Sequence, residues 1–300
     1  MTNRALIAIA GPTGSGKSAL ALEMAQRFGG EIVNYDSVQV YRGFDIGSAK
    51  ASVHDRARVP HHLIDIREPW DVYTAGDFAR DVRVLLPSID LPILCGGTGF
   101  YLRALLRGLS PSPQRDDALR ADLERRDVRR LLERLDPAAA LRIHPNDKNK
   151  SLRALELRIL ARRSSTELFA EQPLAPLAGY GCLLLGVDPP REELYARLDA
   201  RCEAMWHGGL LDEARALLPF AESKPFESLG YKQALAHLRG RPADECLEEM
   251  KVKTRQYAKR QWTWFRAEPD ILWLRGFGGD AEVQHEAEKK ISTFAEHFRG

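Results

Sequence analysis

The stretch Gly11-Pro12-Thr13-Gly14-Ser15-Gly16-Lys17-Ser18 constrains this chain more than any other. It fits the phosphate-binding pattern G-x-x-x-x-G-K-[ST] at every specified position, between an apolar run from Ala5 to Ala10 and a helical pattern from Ala19 to Phe28. Glycines let the backbone curl until successive N–H groups face an anion, and the following helix adds the positive end of its dipole. Lys17 brings a mobile charge to a terminal phosphate, and the Ser18 hydroxyl is a ligand for Mg²⁺ bound across two phosphate oxygens. A Gly/Ser-rich turn can match by accident, but the strand before it and the helix after it make an α/β domain with a parallel sheet the expected fold. The loop specifies phosphate and leaves the reaction open.

With 300 residues, 44% of them hydrophobic, the chain can bury a full core of that kind. Its formal net charge is only +2, so attraction to a polyanion has to come from local clusters. Cys95, Cys182, Cys202 and Cys246 form no C-x-x-C pair, which argues against a zinc site and a disulfide framework. No apolar run reaches membrane-spanning length, and the N-terminal one leads straight into the phosphate loop, as a core strand does and a signal peptide does not. The expectation is a cytoplasmic protein that engages no membrane.

Asp36 and Ser37 end a strand that begins at Glu31. In an open parallel sheet, ligands sit beyond the carboxyl ends of the strands, so both residues face the crevice of the phosphate loop. Asp36 is the first candidate for chemistry; the plain alternative is an Asx-type turn residue. Pro60 to Ile66 reads as a further strand, and His61 and His62 lack a third ligand at a matching spacing, which favours structural imidazoles over a metal site. Thr74 caps a helix over Ala75 to Leu86, with Asp77 near its start. Ile93 to Cys95 is another strand, and the Gly96-Gly97-Thr98-Gly99 turn after it lets backbone approach a ligand closely and presents the Thr98 hydroxyl. Three strand ends, carrying the loop, Asp36 and Thr98, converge on one cleft.

Leu109-Ser110-Pro111-Ser112-Pro113 punctuates the chain. Beyond it, to about Ala178, no strand pattern occurs, and charge-rich helical stretches cover Asp116 to Leu135 and Lys150 to Arg163. The expected organisation is a sheet core from residues 1–112 and 179–300 with an all-helical insertion at 113–178. In the insertion Lys148, Lys150, Arg153, Arg158, Arg162 and Arg163 outnumber Asp147 and Glu156; a solvated face explains part of that excess, and its one-sidedness suits phosphates. The sheet resumes at Tyr180 to Val187, and Pro190 opens a helix with Arg197 and Arg201 on one face. Arg197 can pair with Glu193, whereas Arg201 has no acid at helix-pairing spacing. Last comes Lys251 to Arg266, basic and without an acid, interleaved with Tyr257, Trp262, Trp264 and Phe265. Lys251, Arg255 and Lys259 recur every fourth residue, a basic stripe read as functional, and the tryptophans are read mainly as core.

In this combination the chain resembles the bacterial tRNA dimethylallyltransferases, or tRNA isopentenyltransferases. The matching pieces run nearly its whole length: G-P-T-G-S-G-K-S at Gly11 to Ser18, D-S at Asp36 and Ser37, Y-R-G-F-D-I-G-S-A-K at Tyr41 to Lys50, and H-x-L-I-D-I at His61 to Ile66. They continue with G-G-T-G-F-Y at Gly96 to Tyr101, R-I-H-P-N-D at Arg142 to Asp147, G-Y-K at Gly230 to Lys232, and R-Q-Y-A-K-R-Q-x-T-W-F-R at Arg255 to Arg266.

The resemblance implies a P-loop NTPase-like parallel sheet flanked by helices, with an all-helical insertion. It further implies transfer of a dimethylallyl group from dimethylallyl diphosphate to the exocyclic amine of adenine at tRNA position 37, beside the anticodon, in tRNAs reading codons that begin with U. The products are N6-dimethylallyladenosine and diphosphate. The loop then holds a diphosphate donor instead of a nucleoside triphosphate. By the same resemblance Asp36 falls on the general base, Thr98 on an active-site threonine, and Arg201 on the arginine gripping the donor. Contacts to the tRNA anticodon stem-loop fall on Asp36, Ser37, Val38, Gln39, Thr98, Arg120, Asn149, Lys150, Ser151, Leu152, Arg153, Gly230, Tyr231 and Lys232. They also fall on Lys259, Arg260, Gln261, Trp262, Thr263, Trp264, Phe265 and Arg266. Mg²⁺ is the implied cofactor, and a monomer is expected. One departure is Glu227, where relatives often carry a basic residue.

Two other classes of function fit the loop: a small-molecule kinase or an enzyme prenylating free adenine nucleotide, and a nucleic-acid-binding ATPase without group transfer. Neither kind of small-molecule enzyme needs the helical insertion or the basic stripe.

Overall fold

The computed structural model describes residues 4–109, 112, 113, 115–171 and 176–298. These divide into two compact units, one within Met1–Leu106 and Leu177–Gly300, the other within Arg107–Pro176. Ser110, Pro111 and Gln114, in the segment read as a boundary, lie outside the described residues.

The first unit begins with β1 (Arg4–Ala10), α1 (Lys17–Phe28), β2 (Glu31–Asn34), α2 (Val53–Arg58), β3 (His61–His62), α3 (Ala75–Leu85), β4 (Pro92–Cys95) and α4 (Gly99–Leu106). The second contains α5 (Asp117–Glu124), α6 (Val128–Leu135), α7 (Pro137–Arg142), α8 (Lys148–Ala161) and α9 (Ser165–Glu171). The first then resumes with β5 (Tyr180–Asp188), α10 (Arg191–Met205), α11 (Leu211–Ala216), α12 (Tyr231–Leu238), α13 (Ala243–Arg266), β6 (Ile271–Arg275) and α14 (Ala281–Glu296). Among the described residues no helix is long and apolar enough to cross a membrane.

The sheet is parallel throughout, in the order β3-β2-β4-β1-β5-β6. A parallel sheet is covered on both faces, so its central strand has to be apolar on both sides. β1 meets that demand by alternation: Leu6, Ala8 and Ala10 enter one core cluster, while Ile7 and Ile9 enter another that contains Leu20 and Met24 of α1. Each such isoleucine removes enough apolar surface to stabilise the fold by about 1.5–3 kcal/mol. Because all the strands run the same way, the turns after β1, β2, β4 and β5 share one edge of the sheet.

Local chemistry sets most boundaries. Gly29 takes a left-handed φ of 66° and ends α1. The Thr74 hydroxyl accepts from the Asp77 amide and the Asp77 carboxylate accepts from the Thr74 amide, a reciprocal cap at the start of α3. Two expectations are corrected. The strand expected over Pro60 to Ile66 is confined to His61 and His62, because Leu63 and Asp65 adopt positive φ of 60° and 55° and turn the chain out of the ladder. The helical stretch expected over Asp116 to Leu135 is two helices, since Asp127 caps α6 by accepting the Arg130 amide.

The helical unit packs Leu123, Leu132 and Leu155 into its own core. Beside that core Glu156, fully buried, pairs with Arg120 at 3.0 Å and Arg153 at 3.1 Å.

Candidate active site

The turn after β1 is the phosphate loop. Gly14 and Gly16 take φ of 77° and 88°, conformations that a side chain would strain, and Gly16 is the N-cap of α1 with no side-chain cap. The first amides of that helix therefore have no capping side chain and suit an anion. Lys17 is buried, and its Nζ donates to the Pro12 carbonyl at 2.7 Å. Burial, the main cause, and the nearby Arg201 charge lower the Lys17 ammonium to about 8, against opposing contributions from Cys95 and Asp36. Among the described residues the Ser15 hydroxyl is buried without a hydrogen-bond partner, and the Ser18 side chain at the first turn of α1 is exposed.

The strand expected from Glu31 through Ser37 stops at Asn34, because the Asn34 and Asp36 side chains take the next amides and turn the chain, so Asp36 lies in the turn after β2. Asn34 shapes it: its Oδ1 accepts the Asp36 amide at 3.0 Å and its Nδ2 donates to the Leu63 carbonyl at 3.0 Å. Asp36 Oδ1 accepts the Val38 amide at 2.8 Å, so the residue does form the Asx-type turn that competed with a chemical role. That bond occupies one oxygen and leaves Oδ2 on the side of Gly97. Burial raises the Asp36 pKa, and the Val38 and Gln39 amides with the Lys17 and Arg201 charges act against the rise. From the turn after β4, the Thr98 hydroxyl accepts the Ser37 amide at 3.1 Å. Loop, carboxylate and hydroxyl thus meet as the strand order requires.

A cavity of about 370 Å³ opens there. Thr13, Asp36, Ser37 and Arg201 line its polar part; Val38, Leu198, Met205, Leu229 and Met250 line an apolar part. Arg201 makes no hydrogen bond or ion pair among the described residues; Asp199 and Glu203, two positions away and so not facing it along the helix, pair with Arg255 and Lys251 of α13. Burial, chiefly, lowers the Arg201 pKa. Arg197, instead of pairing with Glu193, lies over the Phe277 ring at 4.8 Å. Glu227 and Arg260 reach the same cavity, and both are exposed.

The basic stripe is not uniform. Lys251 is held by Glu203 at 2.8 Å and Glu248 at 2.6 Å, and Arg255 by Asp199. Lys259, Arg260, Thr263 and Arg266 are exposed, whereas Gln261, Trp262 and Phe265 are buried and Trp264 is half-buried beneath Arg103. Lys259, Trp262, Thr263 and Arg266 line a second cavity of about 560 Å³ with Arg191 and Arg275. Its one acid, Asp188 at the end of β5, is buried and accepts from Trp262 Nε1 at 2.8 Å, Arg275 at 2.5 Å and Arg266 at 3.3 Å.

The remaining expected contacts have mixed placements. Gln39 Nε2 donates to the Ser48 and Ala49 carbonyls. Gly230 is the N-cap of α12, Lys232 is exposed, and Tyr231 is fully buried with its hydroxyl on Glu213. In the helical unit Ser151 and Leu152 face the interior, Arg120 also donates to Asn149 Oδ1 at 3.2 Å, and Lys150 pairs with Asp147. Sequence reasoning missed the acids that hold these groups: Glu156, Asp188 and Glu213. The last accepts the Ile46 amide at 2.9 Å and so joins the Asp45 loop to the Gly230 element. No motif announces them, since the partners of Asp188 and Glu213, and Arg120 as a partner of Glu156, lie far away in sequence; only the Arg153–Glu156 pair is local. Among the described residues no group of three His, Cys, Asp or Glu side chains could hold a metal ion.

The family model described as IPP transferase matches residues 39–268, and one described as Isopentenyl transferase matches residues 4–65. A tRNA dimethylallyltransferase of Solibacter usitatus is 52% identical, over 96% of this chain and 98% of that protein. One from Koribacter versatilis is 46% identical over 98% of this chain and 100% of that protein. Among solved structures, the full-length tRNA isopentenylpyrophosphate transferase from Bacillus halodurans has a TM-score of 0.74 and 33% identity, covering 98% of each chain. A eukaryotic dimethylallyltransferase captured acting on tRNA has a TM-score of 0.82 and 29% identity, covering 98% of this chain and 80% of that one.

Proposed function

This chain belongs to the IPP transferase family, a tRNA-modifying prenyltransferase among tRNA dimethylallyltransferases, and from that premise we propose its donor, acceptor atom and catalytic groups. The donor is dimethylallyl diphosphate and the acceptor is the exocyclic amine of adenine 37, in tRNAs that read codons beginning with U. The observation that carries this reading is the cavity itself, where Thr13 of the phosphate loop, Asp36 and Arg201 share a lining with the apolar Val38, Leu198, Met205, Leu229 and Met250; Arg201 there and Lys17 of the adjoining loop have no bonded acid among the described residues, and the apolar side chains suit a short prenyl chain.

An adenine amine is a weak nucleophile because its lone pair is delocalised into the ring, so the leaving group has to be excellent. In the reaction N6 attacks C1 of the dimethylallyl group, the C1–O bond breaks, and its electron pair departs with diphosphate. Lys17, the loop amides and Arg201 stabilise the charge that grows on diphosphate. The attacked nitrogen becomes acidic as the bond forms, and Asp36 Oδ2 takes its proton while Oδ1 stays on the Val38 amide. A burial-raised pKa makes Asp36 a stronger base. The Thr98 hydroxyl, tied to the Ser37 amide, orients that side of the site.

The residues present fit Mg²⁺: the exposed Ser18 hydroxyl at the loop would hold the ion, with diphosphate oxygens and water completing the oxygen-rich, mostly non-protein shell it prefers. When bound it would add charge to the leaving diphosphate. The adenine has to leave the anticodon-loop stack to reach the cavity. Lys259, Arg260, Thr263 and Arg266 on α13, Lys232, and the Arg120, Asn149 and Arg153 group of the helical unit are the exposed or part-exposed positions assigned to RNA. The enzyme is taken to work as a monomer in the cytoplasm.

The test is to incubate the protein with Mg²⁺, dimethylallyl diphosphate and unmodified tRNA bearing adenine 37, then digest and weigh the nucleosides. Adenosine heavier by one isopentenyl unit, absent without donor, is the expected product. A mass shift on free AMP alone would assign a small-molecule acceptor, and RNA-stimulated ATP hydrolysis with no shift would assign an ATPase.

A further inference from the structure

Gln261 sits in the basic, aromatic part of α13, yet its side chain is only 5% exposed. Its Oε1 accepts the Thr13 amide of the phosphate loop at 2.7 Å, and its Nε2 donates to the Gly97 carbonyl at 2.8 Å. One carboxamide therefore bridges the turn after β1 to the turn after β4, the two turns that carry the phosphate loop and Thr98. A β-carbon at position 97 would lie 2.4 Å from Gln261 Nε2 and 3.8 Å from Asp36 Oδ2, so glycine is needed for the bridge and the bridge passes beside the proposed base. A carboxamide offers both the acceptor and the donor that the bridge needs, whereas lysine and arginine only donate, and an ionised glutamate only accepts. The Thr13 amide, bonded to Gln261, is fixed before any ligand arrives, which reduces the ordering that diphosphate binding would otherwise cost.

We infer that Gln261 is a positioning residue: it sets the separation between the phosphate loop and the Asp36 and Thr98 side of the cavity, and its side chain does so without touching RNA. The kcat readout below rests on the transfer reaction proposed above; the pyrophosphate readout does not.

The experiment compares the wild type with Gln261→Leu, Gly97→Ala and the double variant. Affinity for inorganic pyrophosphate with Mg²⁺ is measured by calorimetry, and transfer to tRNA by steady-state kinetics. Leaving two buried backbone groups unpaired is expected to weaken pyrophosphate binding and lower kcat, each by about tenfold, with KM for tRNA unchanged. Gly97→Ala displaces Nε2 and should reproduce the fall in kcat. In the double variant the displaced atom is gone and Gln261 Cδ lies 3.7 Å from the added carbon, so the loss should not exceed that of Gln261→Leu. A rise in KM for tRNA at unchanged kcat would show the side chain reading RNA and overturn the inference. Unchanged pyrophosphate affinity and kcat in a folded Gln261→Leu protein would also overturn it, by reducing the bridge to packing. If Gln261→Leu does not fold, Gly97→Ala alone supports or overturns the inference by the same two readouts. Weakened pyrophosphate binding in a protein whose wild type transfers nothing would sustain the positioning role and reject the reaction.

Discussion

Among the described residues Lys17, in the phosphate loop, bonds only a backbone carbonyl and Arg201, lining the cavity, makes no hydrogen bond or ion pair, whereas on α13 Lys251 is held by Glu203 and Glu248 and Arg255 by Asp199. Both sets are cationic, and both involve α10. That helix turns Asp199 and Glu203 toward the middle of α13 and Arg201 toward the cavity. A cation withdrawn from water without an acid costs stability, visible in the lowered Lys17 and Arg201 pKa values, and is retained where a ligand's negative charge completes it. A paired cation on a helix face tethers two helices and has little left for RNA. Residue type and spacing look alike in the two regions; the partner on the neighbouring element separates them.

The contrast breaks first at Lys17. Replacing it with alanine should lower kcat/KM for the donor by about a thousandfold or more, as loss of a charge aimed at a departing oxyanion does, read by steady-state kinetics at fixed tRNA. A loss of only a few-fold would mean that the loop amides alone hold the diphosphate.

Next comes pH. Because the Lys17 ammonium is lowered to about 8, a rise in pH through 8 should weaken pyrophosphate binding by about tenfold per unit, since only the charged form attracts the anion. The sign for stability is opposite: from about 8 up to 10.5 the unfolded chain keeps a proton that the folded one has released, so this residue's contribution rises with pH. Calorimetry from pH 7 to 9.5, with Lys17→Arg as the non-titrating control, separates Lys17 from other groups.

Smaller effects sharpen the division within α13. Lys259→Ala with Arg260→Ala should weaken tRNA binding several-fold and reduce the slope of log affinity against log salt by about 2. Lys251→Ala with Arg255→Ala should leave tRNA affinity and that slope unchanged and lower Tm by only a few degrees. Equal effects of the two pairs on the salt slope would erase the distinction.

The strands and the site were legible in the sequence to different depths. The apolar run into Gly11, the Asp36-Ser37 strand end and the Gly96 turn could be read because each is local, and a parallel sheet forces such ends onto one edge. The extent of the His61 strand could not, since it depends on positive φ at Leu63 and Asp65 rather than on hydrophobicity. The break before α6 depended on Asp127 outcompeting an otherwise helical pattern. Gln261, Trp262, Phe265 and Tyr231 lie within motifs that resemble RNA-contacting segments, yet they point inward; Trp262 is legible as core from its residue type, whereas for Gln261, Phe265 and Tyr231 the sequence shows only that they are present. Their burial is decided by Asp188, Glu213 and the glycine turns against which they pack.

The role proposed for Asp36 is that of proton acceptor in a prenyl transfer, beyond that of a turn residue. Asp36→Asn keeps an oxygen for the Val38 amide and removes the basic one, so the turn is preserved while the chemistry is not. Single-turnover transfer to tRNA, with tRNA and pyrophosphate affinities measured on the same protein, is the direct measurement. Both affinities are expected near wild type, with a rate lower by about a hundredfold or more; a wild-type rate would exclude Asp36 as the base.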